Sequence, residues 1–176
     1  TKFDSFDKKA CSAASLGQVH QAIHNNEKVA VKLQYPDMDS AINADLNQLK
    51  LVFSLYERID SAISTKDIHS ELSDRLREEL DYNREALNMQ LYRLMLAGES
   101  EVILPEPIEA LSTSRVLTMR WVEGQKLMRY LTAEPSQEDR NIVAINMFRT
   151  WYVPFYYYGV IHGDPHLGNY SITEDL

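Results

Sequence analysis

The residues best suited to do chemistry lie near the end of the chain, in His162-Gly163-Asp164-Pro165-His166-Leu167-Gly168-Asn169. Asp164 and Asn169 stand five positions apart, the spacing of phosphotransferase loops of the form HxDxxxxN. The chemistry explains the residue types. One carboxylate must orient an acceptor oxygen or take its proton. A neutral amide oxygen nearby ligates Mg²⁺ without adding a further full negative charge beside phosphates. Two other readings remain at this point: a polar turn with an Asx cap, and a metal hydrolase using His162, Asp164 and His166 as ligands.

Val29-Ala30-Val31-Lys32 is a short apolar run ending in a cation. An ammonium on such a strand is costly unless paired or solvated. It either reaches phosphates or points to water from an edge strand. Upstream, Ala13-Ala14-Ser15-Leu16-Gly17 is rich in small residues, which let backbone N–H groups approach a phosphate. It is neither GxGxxG nor a Walker motif, and on its own it reads equally as a hairpin loop. The run Glu78-Glu79-Leu80-Asp81-Tyr82, with Glu85 beyond it, places Glu78, Asp81 and Glu85 along one helical face. A carboxylate there either pairs with Lys32 or belongs to a solvated face shared with Arg75, Arg77 and Arg84.

The elements that must position these groups follow from periodicity. A hairpin is expected from Val19 to Leu33, with Asn25-Asn26 as its turn. Apolar residues from Ile42 to Leu55 recur at helical spacing, so a helix is expected from Pro36 to about Ile59. A single second helix is expected from Ser64-Thr65 to Gly98. Val102-Ile103-Leu104 and Val116-Leu117-Thr118-Met119 read as strands, and Leu127 to Leu131 as a short helix. A long helix follows Pro135-Ser136 and runs through Val160, with a possible kink at Pro154. Its apolar stretch Ile142–Ile161 carries Asn146, Arg149 and Pro154, which favours a buried helix over a membrane span. The order predicts an α+β fold with a sheet-bearing lobe ahead of a helical one.

Composition bounds the rest. The 176 residues carry 18 basic and 26 acidic side chains, a net charge of -8. Such an acidic surface argues against nucleic acid as a partner. One cysteine, Cys11, excludes an intramolecular disulfide and a Cys-rich zinc site. The N-terminus has no signal-peptide pattern, and the ends read as those of an excerpt.

Taken in order, ACSAASLGQVHQA, VAVKLQYP, EELDYNREALN, LTMRWVEG and HGDPHLGN resemble the UbiB/ADCK family of atypical kinases, associated with ubiquinone biosynthesis, from about Ala10 to Asn169. The resemblance implies a protein-kinase-like α+β fold, truncated, with a small β-bearing N-lobe and long inserted helices over residues 1–122, and the start of a helical C-lobe over 123–176. It implies ATP and Mg²⁺ as cofactors. Ala13, Ala14, Ser15 and Gly17 would form the alanine-rich loop over the nucleotide, and Lys32 would anchor its phosphates. Glu79 would pair with Lys32, while the role of Glu85 stays open. Met119 to Glu123 would be the hinge, with Trp121 and Val122 at the adenine. Asp164 would be the catalytic aspartate and Asn169 a magnesium ligand.

Departures accompany the match. Arg120 stands where the family has an acidic hinge residue, and Leu167 where proline is common. No Asp-Phe-Gly occurs through Leu176, so the excerpt is expected to be incomplete for catalysis. Lipid or quinone-pathway precursors, quinone-biosynthesis proteins and membrane association through regions outside these residues are implied partners. The implied locations are the bacterial cytoplasm or inner membrane, the mitochondrion or the plastid. A nucleotide-binding pseudokinase scaffold at a membrane and a small-molecule kinase of the aminoglycoside or choline type are the competing functions.

Overall fold

The computed structural model describes residues 2–57, 65–163 and 165–175. The chain divides into two compact units: Thr1–Leu87 with Pro107–Arg120, and Asn88–Glu106 with Trp121–Leu176. The sequence reading divides it once, between 122 and 123. In the structure, residues 88–106 group with the C-terminal segment instead.

The first unit is built on a five-stranded antiparallel sheet. β1 (Ser5–Phe6), β2 (Ser12–Ala14), β3 (Gly17–His24), β4 (Glu27–Gln34) and β5 (Val116–Arg120) make it up, in the order β1-β3-β4-β5 with β2 also on β3. The β3–β4 turn is Asn25-Asn26, both with positive φ (51° and 64°). Asparagine tolerates that left-handed conformation, and two such residues twist a hairpin in the sense its strands require. The pleat then sorts the side chains of β4. Val29 and Val31 pack with Ala22 into a core that Phe3, Leu33, Ile108 and Val116 complete. Lys32 projects from the other face.

α1 (Met38–Tyr56) and α2 (Thr65–Leu80) pack through Ile42, Leu46 and Leu80, with Leu16, Met38 and Leu76 alongside. The expected end of α1 near Ile59 lies outside the described residues. The single helix expected from Ser64 to Gly98 is two: α2, and α3 (Tyr82–Met95). Asp81 separates them. Its Oδ1 accepts a hydrogen bond from the Asn83 N–H at 3.0 Å, and its carbonyl accepts from the Glu85 N–H at 3.1 Å. These are the bonds of a helix N-cap, so the leucine stripe continues while the helix restarts.

In the second unit, the expected strand Val102–Leu104 does not form. The Val102 N–H is spent in a turn on the Glu99 carbonyl, and Arg93 Nη1 takes the Leu104 carbonyl at 2.6 Å. β6 (Gln125–Lys126) pairs with β7 (Ser171–Ile172), and α4 (Leu127–Thr132) follows β6. α5 (Gln137–Tyr158) starts at Ser136, whose hydroxyl accepts from the Asp139 N–H, and ends at Gly159 with φ 66°. The expected buried helix is corrected here. Val143 and Pro154 are its buried members, while Ile145, Phe148 and Phe155 to Tyr158 are exposed. Phe148, Tyr152 and Tyr156 stack at 5.0 Å intervals, an i, i+4, i+8 ladder along one side. No described helix is long and apolar enough to cross a membrane.

Candidate functional site

In the first unit, the alanine-rich segment is a tight hairpin. Ser12, Ala13 and Ala14 pair with Val19, Gln18 and Gly17, and the turn lies at Ser15-Leu16. Ala13 and Ser15 are exposed, and the Leu16 carbonyl accepts from the Tyr35 N–H at 3.1 Å. Gly17 is required by packing: a Cβ there would overlap the Leu33 carbonyl and stand 3.0 Å from the Tyr82 hydroxyl.

Lys32 lies opposite Val19 on one side and Leu117 on the other, so it is held in the middle of the sheet and not at an edge. Its Nζ contacts both carboxylate oxygens of Glu85 at 2.7 Å. The Lys32 side chain is 21% exposed and that of Glu85 37%. The partner expected from the sequence, Glu79, is replaced by Glu85. The N-cap at Asp81 ends α2 just after Glu79, and Glu85 takes its place in the first turn of the new helix. Glu79 is exposed on α2, close enough to act electrostatically on Tyr82. Glu78 is engaged by Arg75 and Arg84.

Two groups beside Lys32 lie within the stretches that carry the resemblance but were assigned no role from the sequence. Gln34 donates from Nε2 to the Leu80 carbonyl and ties β4 to the end of α2. Tyr82 is 1% exposed, and its ring lies 4.7 Å from Lys32 Nζ. Burial first, then the charges of Glu85 and Glu79, push its phenol up to about 12, so it stays neutral at ordinary pH. The available signal was the i, i+3 spacing of Tyr82 and Glu85, which puts both on one helical face. Arg120, the departure at the hinge, forms an ion pair with Glu27 at 2.5 Å.

In the second unit, Trp121 and Val122 line a cavity of about 900 Å³ with Ile103, Glu123, Tyr130 and Ile172. Glu101, Glu174 and Asp175 add further carboxylates to its wall, and no Lys or Arg is among its lining residues. Its electrostatics suit an uncharged ring better than a phosphate. In the loop after α5, His166 Nδ1 accepts from the Gly168 N–H at 3.0 Å and caps the 3-10 turn Leu167–Asn169. Lys126 Nζ donates to the Gly168 carbonyl at 3.3 Å. The turn leaves Asn169 exposed. The His162 ring meets Tyr92 edge-on, with centroids 6.1 Å apart. Asp164 lies outside the described residues. Among the described residues, no three His, Cys, Asp or Glu side chains gather to hold a metal. The amide oxygen of Asn169 is a hard donor of the kind Mg²⁺ takes together with phosphate oxygens.

A model of the ABC1 atypical kinase-like domain matches residues 1–176. The chain is 30% identical over 171 residues to the mitochondrial atypical kinase COQ8 of Saccharomyces cerevisiae, covering 97% of this chain and 34% of that protein. It is 32% identical over 177 residues to the chloroplastic Protein ACTIVITY OF BC1 COMPLEX KINASE 7 of Arabidopsis thaliana, covering 98% of this chain and 25% of that protein. The structure is similar to that of Rv3197 from Mycobacterium tuberculosis in complex with erythromycin. The TM-score is 0.85 at 28% identity, over 99% of this chain and 44% of that one. The chain thus spans about a third or less of the two curated relatives.

Proposed function

This chain belongs to the ABC1 atypical kinase-like domain family, and on that premise we propose that it binds Mg-ATP as the nucleotide domain of an atypical kinase or ATPase. The observation that carries the reading is the Lys32–Glu85 pair, set in the middle of an antiparallel sheet and tied to a helix from outside it. A lysine placed for structure alone gains little from a half-exposed ion pair. A lysine placed to meet phosphates needs a carboxylate that aims it and does not hold it too tightly.

Lys32 would hold phosphate oxygens, with the hairpin from Ala13 to Gly17 closing over them. Trp121 and Val122 would hold the adenine, where the acidic wall repels phosphate. Asn169 would hold Mg²⁺. When bound, Mg-ATP supplies the phosphoryl group and the charge neutralisation. Asp164 would orient the acceptor hydroxyl or water and receive its proton. Positioning and charge complementarity would provide most of the rate. The names of the two relatives support a mitochondrial or plastid setting, and membership supports a role in quinone biosynthesis with lipid-linked partners.

Turnover of Mg-ATP by the full-length protein tests this. Lys32→Met and Asp164→Asn are each expected to abolish it, and undiminished turnover in either variant would defeat the assignment.

A further inference from the structure

We propose that Tyr82 is a positioning residue for Lys32: its ring is a fixed shelf on which the ammonium rests, so that Tyr82 and Glu85 together aim the amine. The inference rests on the reading of Lys32 as the phosphate anchor and adds a second determinant to it.

Among the described residues, Lys32 Nζ has one carboxylate partner, Glu85, at 2.7 Å, and lies 4.7 Å from the centre of the Tyr82 ring. A lysine stem has four rotatable bonds, and a single ion pair leaves it able to swing about the carboxylate. An aromatic face under the ammonium removes that freedom through its quadrupole. The ring is enclosed and its backbone is tied: Tyr82 is 1% exposed, and its N–H donates to the Ser114 carbonyl at 3.1 Å. Its hydroxyl abuts Gly17, the first residue of β3 after the alanine-rich turn. One side chain therefore fills the space from that hairpin to Lys32.

The hydroxyl is the informative atom. It is buried and has no hydrogen-bond partner among the described residues. Buried hydroxyls are normally satisfied, because desolvation without a bond is costly. Among the described residues nothing bonds it, whereas Lys32 meets the ring. What the surroundings use is the ring, so phenylalanine should serve as well.

The test measures Mg-ATP, Mg-ADP and adenosine dissociation constants of the full-length protein with Tyr82, Tyr82→Phe and Tyr82→Leu. Tyr82→Phe is expected to keep all three. Tyr82→Leu is expected to weaken Mg-ATP and Mg-ADP about tenfold, the scale of a desolvated cation–π contact, while adenosine binding stays within twofold. Equal weakening of adenosine would show a merely structural role and overturn the proposal. Should Tyr82→Leu fail to fold, phenylalanines of increasing ring fluorination at position 82 keep the volume and drain the quadrupole. A stepwise loss of Mg-ATP affinity supports the shelf, and a flat response overturns it. Acylation of Lys32 by an amine-reactive ester, followed by mass spectrometry, separates this proposal from the nucleotide reading. It is expected to run several-fold faster in the leucine or most fluorinated variant, whether or not ATP binds, and equal rates reject the shelf.

Discussion

Lys32 has two candidate carboxylates six positions apart, Glu79 and Glu85, and the choice decides which mutation matters. Glu85 holds its Nζ through both oxygens, whereas Glu79 is exposed on the preceding helix. With both partners partly solvated, the pair adds about 1 kcal/mol or less to stability. Its consequence belongs to ligand binding. Glu85→Gln is expected to weaken Mg-ATP about tenfold, clearly more than Glu79→Gln, with little change in melting temperature; isothermal titration of both variants checks the order. Tyr82 gives a second prediction, from its raised pKa. Its phenol keeps its proton in the folded protein up to about pH 12, while in the unfolded chain it loses it near 10. Between those values the unfolded state binds one proton fewer. Stability therefore falls as pH rises through the window, by about 1.4 kcal/mol per pH unit from this group, and is fully present below pH 10. Urea unfolding of the Tyr82→Phe variant at pH 9, 10 and 11 should show a shallower decline than the parent. At pH 8 the variant should be as stable or about 1 kcal/mol more so, since a buried, unbonded hydroxyl is gone.

Long, strongly patterned elements were legible before any coordinates, and elements made by local hydrogen bonding were not. The β3–β4 hairpin announced itself through alternation and Asn25-Asn26, and α4, α5 and the start of α1 fell within a few residues of where they were expected. The break at Asp81 left no trace in the leucine stripe, because a cap changes who donates to whom and not which positions are apolar. The resemblance implied Glu79 as the lysine partner; the helix that Asp81 starts carries Glu85 to Lys32 instead. Asp81→Ala is expected to cost about 1 kcal/mol in urea unfolding and to weaken Mg-ATP along with it, since Glu85 rides on the helix Asp81 starts. β1, β2, β6 and β7 are two or three residues long, below any period that could be read. They exist because a neighbour presents free backbone groups. The expected strand Val102–Leu104 failed for the converse reason: it has the residue types, but the Val102 N–H and the Leu104 carbonyl are taken by a turn and by Arg93. Gly17 is the element-scale test of the alanine-rich hairpin. Its missing side chain leaves room for the Leu33 carbonyl, so Gly17→Ala must part β3 from β4 where the hairpin begins. A loss of about 2 kcal/mol or more is expected, measured by thermal or urea unfolding.

At the scale of the molecule, the sequence order of hairpin, strand lysine, acidic helix, hinge and HxDxxxxN loop carried the family, while composition alone supplied only a negative charge. That charge now bears on ligand form. A chain of net charge -8 repels a nucleotide that bears about four negative charges, and the Trp121 cavity adds carboxylates of its own. Lys32 offsets one of those charges. Mg²⁺ removes two more. Mg-ATP should therefore bind markedly more tightly than ATP in EDTA, and more so at low ionic strength, where repulsion reaches about 10 Å or further. Selective binding to the folded state raises its stability by about 2.7 kcal/mol at a ligand concentration a hundredfold above Kd. In a thermal-shift titration of the full-length protein, a rise of several degrees with Mg-ATP is expected, a much smaller one with ATP plus EDTA, and almost none with Mg-ATP in Lys32→Met. A shift that survives EDTA undiminished would remove magnesium from the site. A shift that survives Lys32→Met would place the phosphates somewhere other than beside Glu85.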